Sequence, residues 1–197
     1  AGKTTFTSII CGLINPTSGS VTIFDRDVTA SLGNIKKRIG LVPQEIALYS
    51  GLTVRENIYL YGHLMGYHGE NLKKRASSLI EVFNLGDHIS KLLVHCSGGI
   101  KRRVNLISGI IHDPELLILD ETTLGVDVQL REMIFEYLAG LNKKGTTIIY
   151  TTHYMKEAEL LCTRVNIIDH GMLIADGSPS TLIEGNEGCA DLGQVFL

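Results

Sequence analysis

Five residues, Leu116-Leu117-Ile118-Leu119-Asp120, constrain the fold more than any other stretch. They are apolar without alternation, which reads as a strand buried on both faces of a parallel sheet. The strand ends in Asp120 and Glu121, so it delivers two carboxylates to the sheet edge where ligands of open α/β folds sit. Just upstream stands Cys96-Ser97-Gly98-Gly99-Ile100-Lys101-Arg102-Arg103. Ser97 is a natural N-cap for a helix over 98–112, and Asp113-Pro114 ends it. A Gly-rich helix start presents unpaired backbone N–H groups, which suit a phosphate. Two glycines there cost about 1 kcal/mol each relative to Ala, a cost that close backbone approach would explain. The Lys101-Arg102-Arg103 run is predicted to be exposed.

The 197 residues, 44% hydrophobic and 20% charged, can bury a sizeable core in one domain, with room for a subdomain. A net charge of −3 supplies no basic footprint for nucleic acid, while backbone N–H groups and one lysine suffice for a phosphate. The four cysteines, Cys11, Cys96, Cys162 and Cys189, are scattered without a Cys-x-x-Cys pair. That argues against zinc and against a secreted disulfide framework, and fits a reducing cytosolic side. No apolar run approaches the ~18 residues of a membrane span, and no signal peptide is read. Any membrane contact is expected through another chain or a segment outside this one.

In chain order, Gly2-Lys3-Thr4-Thr5 precedes an apolar helix over 6–13 and matches the second half of a phosphate-binding loop, G-x-x-x-x-G-K-[ST]. There Lys3 would meet the β- and γ-phosphates and the Thr4 hydroxyl would ligate Mg²⁺. On its own, a Gly-Lys-Thr is as well read as a solvated lysine. Residues 20–29 read as two short strands around Asp25-Arg26, residues 32–38 as a brief basic helix, and 39–42 as a strand stopped by Pro43. Gln44 follows it, either a plain loop residue or a side chain reaching metal and water. Thr53-x-x-Glu56 is a capping box before a helix over 54–65, and another helix covers 70–83. Residues 44–110 therefore read as a mostly helical insert. Asp127 caps a helix over 128–142, and a β-branched strand over 146–152 ends at His153. A helix over 154–162, strands over 164–169 and 172–176, and a last helix opened by Ser178-Pro179 follow. The segment from Gly185 is polar and Gly-rich, without an assigned role.

Together these motifs resemble the ATP-binding subunit of ABC transporters, over nearly the whole chain. Gly2-Lys3-Thr4-Thr5 looks like the end of the phosphate loop (Walker A), Gln44 the Q-loop and Ser97-Gly98-Gly99 the signature. Leu116–Asp120 looks like the Walker B strand, followed by the catalytic Glu121, the D-loop at Leu124–Asp127 and the switch His153. Gly125-Val126-Asp127, with the basic run after the signature, is most similar to the drug and polysaccharide exporter subgroup. The resemblance implies an α/β P-loop NTPase with a mainly parallel sheet, an interrupted ATP-binding core at 1–43 and 111–184, a helical signature subdomain at 44–110 and a tail at 185–197.

It also implies an ATPase using ATP and Mg²⁺. Glu121, His153 and Gln44 would be catalytic. Gly2, Lys3, Thr4, Thr5, Ser97, Gly98, Gly99 and Asp127 would bind nucleotide, and Thr4, Gln44 and Asp120 would bind the metal. Two subunits would pack head to tail, each ATP between one phosphate loop and the other signature helix. A transmembrane permease would be the membrane partner, contacted around 45–70 on the cytoplasmic face, with no nucleic acid involved. Cys96, Ile100, Thr122 and Val128 depart from the family pattern without removing a chemical group. The resemblance places further strands, an adenine-stacking aromatic and the first half of the phosphate loop ahead of Ala1. Residues 1–197 by themselves are therefore expected to bind ATP poorly, as part of a longer chain. Two alternatives stand beside this reading: a soluble ABC ATPase without a transport role, and a catalytically silent nucleotide-binding module. The presence of both Glu121 and His153 speaks against the second.

Overall fold

The computed structural model describes residues 2–186 and 188–196; residues 1, 187 and 197, two of them in the expected tail, lie outside it. Its centre is the stretch the sequence pointed to. Strand β4 (Leu116–Asp120) is buried at every residue and lies between β3 (Ile39–Val42) and β5 (Thr147–Thr151), both parallel to it. Its side chains divide between two cores. Leu117 and Leu119 join the larger one, and Leu116 and Ile118 the smaller one with Ile10, Val28, Ile35 and Ile39. That division is why no polar residue alternates along the strand.

The chain enters through α1 (Lys3–Ile10), then a hairpin of β1 (Thr22–Ile23) and β2 (Arg26–Asp27), and α2 (Val28–Lys36). Phe24 and Asp25 make the hairpin turn with φ of 52° and 58°, the left-handed pair a two-residue hairpin requires. The predicted brief helix at 32–38 begins four residues earlier, at Val28.

Between β3 and β4 lie α3 (Val54–Leu64), α4 (Gly69–Val82) and α5 (Gly98–Ile110). The capping box forms as read: Glu56 N–H donates to Thr53 Oγ1 at 3.2 Å and Thr53 N–H donates to Glu56 Oε2 at 2.7 Å. The helical layer is not an independent unit. Val54, Ile58, Leu72, Phe83 and Leu93 share one core with Leu117, Leu119 and Ile134. Helix α5 makes the join, packing on α3 at one side and on β3 at the other.

After β4 come α6 (Val128–Lys143) and, beyond β5, α7 (Met155–Leu161). Strands β6 (Val165–Asp169) and β7 (Met172–Gly177) form a separate antiparallel pair. A groove of about 590 Å³ lies between β5 and β6, with Lys3 and Phe6 in its lining. Among the described residues β5 is hydrogen-bonded to β4 alone and β6 to β7 alone. Helix α8 (Pro179–Glu184) is capped by Ser178 as expected. The segment after it is more than a polar tail. It carries α9 (Leu192–Phe196), whose Leu192 is fully buried against Ala158, Val165 and Leu182. One buried leucine anchors an otherwise polar stretch, too weak a periodic signal to be read as a helix.

Candidate active site

The site lies at the carboxyl ends of β3, β4 and β5. Gln44 follows β3, Asp120 and Glu121 close β4, and His153 follows β5. Parallel pairing puts these three ends side by side. The backbone turns sharply at Glu121, whose φ is 46°. A left-handed conformation costs a non-glycine residue about 1–2 kcal/mol, and such strain persists where surroundings enforce it. Here Thr151 does so. Glu121 N–H donates to the Thr151 carbonyl at 3.1 Å and reaches its Oγ1 at 3.3 Å. The Thr151 hydroxyl itself donates to the buried Asp120 carboxylate.

Three groups converge on the Glu121 carboxylate. Lys3 Nζ lies 3.6 Å from Oε1, and His153 Nδ1 lies 3.4 Å from Oε2. Gln44 Nε2 donates to Oε2 at 3.3 Å. The Glu121 side chain is only 17% exposed, so it collects these partners with little competition from water. Lys3 opens α1, and Gly2 before it takes φ 98° with no side chain capping the helix. The first turn of α1 thus offers backbone N–H groups beside an ammonium, an anion-binding arrangement. Thr4 and Thr5 stand exposed on that turn.

The structure also shows what holds Gln44. Arg102 Nη1 donates to the carbonyls of Gln44 at 3.0 Å and Pro43 at 3.4 Å. Asn105 Nδ2 donates to the Pro43 carbonyl at 3.2 Å, and its Oδ1 accepts from Ala47 N–H at 3.3 Å. This corrects the expectation that Lys101-Arg102-Arg103 is exposed. Arg102 is 8% exposed, with burial holding its pKa below the usual guanidinium value. Arg103 donates to the carbonyls of Phe83 and Asn84 at 2.9 and 3.3 Å. Run composition cannot reveal this, because a long arginine stem can reach buried carbonyls from a helix flank.

Other expected residues lie apart. Ser97 caps α5, accepting from Ile100 N–H at 3.4 Å. Around Gly98 there is open space, and a side chain at Gly99 would make only an ordinary contact with Leu130. No close approach within this chain requires those glycines. Asp127 caps α6 through Leu130 N–H at 2.8 Å. Among the described residues no hydrogen bond or ion pair joins Ser97, Gly98, Gly99 or Asp127 to the Glu121 cluster. Sequence reading missed Thr123, Tyr150, Thr151 and Glu157, which tie the strand ends together from behind. Glu157 sits in the first turn of α7, where an acid is already explained by the helix dipole.

The oxygen donors fit a hard cation. Thr4 hydroxyl, Gln44 amide and Asp120 carboxylate are the ligand types Mg²⁺ accepts, with few protein ligands needed when phosphates supply the rest. Among the described residues no group of three or more His, Cys, Asp or Glu could hold a metal unaided.

The chain is similar to known ATP-binding proteins. The linearmycin resistance ATP-binding protein LnrL of Bacillus subtilis (strain 168) is 44% identical over 194 residues, which cover 98% of this chain and 60% of that protein. The Nod factor export ATP-binding protein I of Rhizobium sp. (strain N33) is 40% identical over 189 residues, 96% of this chain and 62% of that protein. The chain thus spans about three-fifths of the length of these curated relatives. A solved ATP-binding subunit of an ABC transporter superposes with TM-score 0.90 at 26% identity, covering 99% of this chain and 82% of that one. A dimeric ATP-binding cassette in a post-hydrolysis state with ADP and Pi superposes with TM-score 0.82 at 27% identity, covering 90% and 80%. The fold is therefore the α/β P-loop NTPase fold of ABC ATPases. The ABC transporter family model matches residues 1–124, a span that includes Lys3, Gln44, Asp120 and Glu121, and the chain belongs to that family.

Proposed function

We propose that this chain forms most of the ATP-binding and ATP-hydrolysing subunit of an ABC exporter. The observation that carries this reading is the convergence of Lys3, Gln44 and His153 on Glu121 at three adjacent strand ends. In it the first turn of α1 and Lys3 bind the β- and γ-phosphates of ATP. Glu121 orients a water for attack on the γ-phosphorus and accepts its proton. The bond from the γ-phosphorus to the β,γ-bridging oxygen breaks, giving ADP and phosphate. His153 contacts the γ-phosphate and holds Glu121. Thr4, Gln44 and Asp120 would hold Mg²⁺, which neutralises phosphate charge when bound.

The Ser97 end of α5 serves a second subunit. The open space at Gly98 leaves room for a phosphate held by a partner copy, where the dipole of α5 adds about 1 kcal/mol. Asp127, at the neighbouring helix start, faces the same interface. Head-to-tail pairing then completes two nucleotide sites. Residues 44–110 act as the signature arm, with 1–43 and 111–184 as the ATP-binding core. The groove between β5 and β6 has the two open strand edges that a strand leading into the phosphate loop needs. A transmembrane permease is the membrane partner, reached through residues around 45–70 at the cytoplasmic face. Among the described residues no helix is long and apolar enough to cross a membrane. The relatives that serve linearmycin resistance and Nod factor export favour export as the direction of transport.

Sedimentation of the full-length Glu121→Gln variant tests this. With ATP and Mg²⁺ it should dimerise and stay dimeric, because nucleotide is bound and not consumed. Return to monomer at the wild-type rate would contradict the assignment.

A further inference from the structure

Behind the Glu121 cluster lies a second carboxylate that the mechanism above does not use. Glu157 is 4% exposed and is gripped by three hydroxyls, one from the loop after β4 and two from the end of β5. Thr123, two residues after Glu121, donates from Oγ1 at 2.9 Å to Oε1. Tyr150, on β5, donates to Oε2 at 2.8 Å. Thr152, just before His153, donates to Oε2 at 2.8 Å. The Thr152 hydroxyl also accepts from Tyr154 N–H at 2.9 Å, and the Tyr154 ring lies 4.2 Å from the His153 ring. Arg131, in the first turns of α6, brings its guanidinium to 3.6 Å from Oε1. Tyr150 and Thr123 are themselves 2.9 Å apart. Burial, with Glu157 alongside, raises the Tyr150 hydroxyl well above its usual range, so it remains a donor.

A buried charge hydrogen-bonded by three hydroxyls, with the Arg131 guanidinium at ion-pair distance, is geometrically demanding. Moving any one segment strands the carboxylate or a hydroxyl, at about 1–3 kcal/mol each. The segments so tied are those that matter for turnover: the loop after Glu121, the loop carrying His153, and the helix that Asp127 caps. Resting on the ATPase reading above, we propose that Glu157 is a positioning residue for hydrolysis, its carboxylate locking Thr123 and Thr152 so that Glu121 and His153 keep their mutual placement. Glu157 touches neither nucleotide nor water in this role. It acts through the two loops.

The clean probe is Thr123, because losing one hydroxyl leaves the ion pair in place. In the full-length protein, Thr123→Val should lower kcat about a hundredfold, the scale of a misplacement near 1 Å, with KM for ATP within about twofold. Thr123→Ser keeps the hydroxyl and should restore most of the rate. Glu157→Gln should match Thr123→Val, and adding Thr123→Val to Glu121→Gln should bring no further loss, since both remove the same function. The proposal is overturned if Thr123→Val turns over within about threefold of wild type, if Ser and Val impair equally, or if kcat falls only in step with ATP affinity and melting temperature. A wild-type protein with no turnover, or a Glu121→Gln variant as fast as wild type, would instead bring down the ATPase reading and this proposal with it.

Discussion

Glu121 and His112 show how differently single residues can be read. Glu121 and His153 were legible because each follows an apolar strand of the parallel sheet, so their positions alone placed them at one edge. His112 carried no such signal. It lies just past α5, is 5% exposed, and its Nε2–H donates to the Ile39 carbonyl at 3.0 Å. Burial holds its pKa below the ordinary 6.5. The fold therefore keeps His112 neutral, while the unfolded chain takes up a proton near that value. Its contribution is complete above about pH 6.5 and is lost as pH falls toward the lower folded value, at up to about 1.4 kcal/mol per pH unit. Thermal melting from about pH 7 to about pH 5 should show a drop in Tm that is shallower in His112→Gln, which keeps a donor for Ile39. Equal slopes in the two proteins would remove His112 as the cause. Arg102 and Glu157 were illegible for another reason. A charged side chain on a helix is read as solvated until its partners are known, and those partners are backbone carbonyls and hydroxyls on other elements.

Among the elements, α5 does more than its caps and periodicity suggested. It is capped by Ser97, clamps the Gln44 loop through Arg102 and Asn105, and crosses β3 at a contact of two glycines. A Cβ on Gly40 would run into the backbone oxygen of Gly109, and one on Gly109 would lie 2.9 Å from the Leu41 oxygen. Backbone cannot move aside as a side-chain tip can, so Gly40→Ala should cost about 2–4 kcal/mol in urea unfolding. Gly33→Ala, in α2 with open space around it, should instead gain about 0.5–1 kcal/mol from helix propensity. Effects of the same sign and size would contradict a crossing held by glycine. The boundaries of α3, β3 and β4 were legible from a capping box, a proline stop and unbroken apolarity. The start of α2 and the existence of α9 were not. Val28 is β-branched and follows strand residues, and α9 is too short for periodicity to show.

At the scale of the whole molecule, one core runs from the helical layer through β4 to α6, so movement of α5 cannot be independent of the strand ends. Gln44 is the point of contact: its side chain meets Glu121 and its carbonyl meets Arg102 of α5. On the proposed reading, nucleotide held at the Glu121 end is thereby linked to the Ser97 end of α5, which would meet a phosphate held by a second subunit. The proposed composite site comes from the family resemblance alone, because no spacing in one chain reveals a surface completed by another copy. The most direct test of the central claim is steady-state ATP hydrolysis by the full-length protein with Mg²⁺, wild type against Glu121→Gln. Wild type should turn over and the variant should fall by about a hundredfold or more while still binding ATP; equal rates in the two would contradict the placement of catalysis at Glu121.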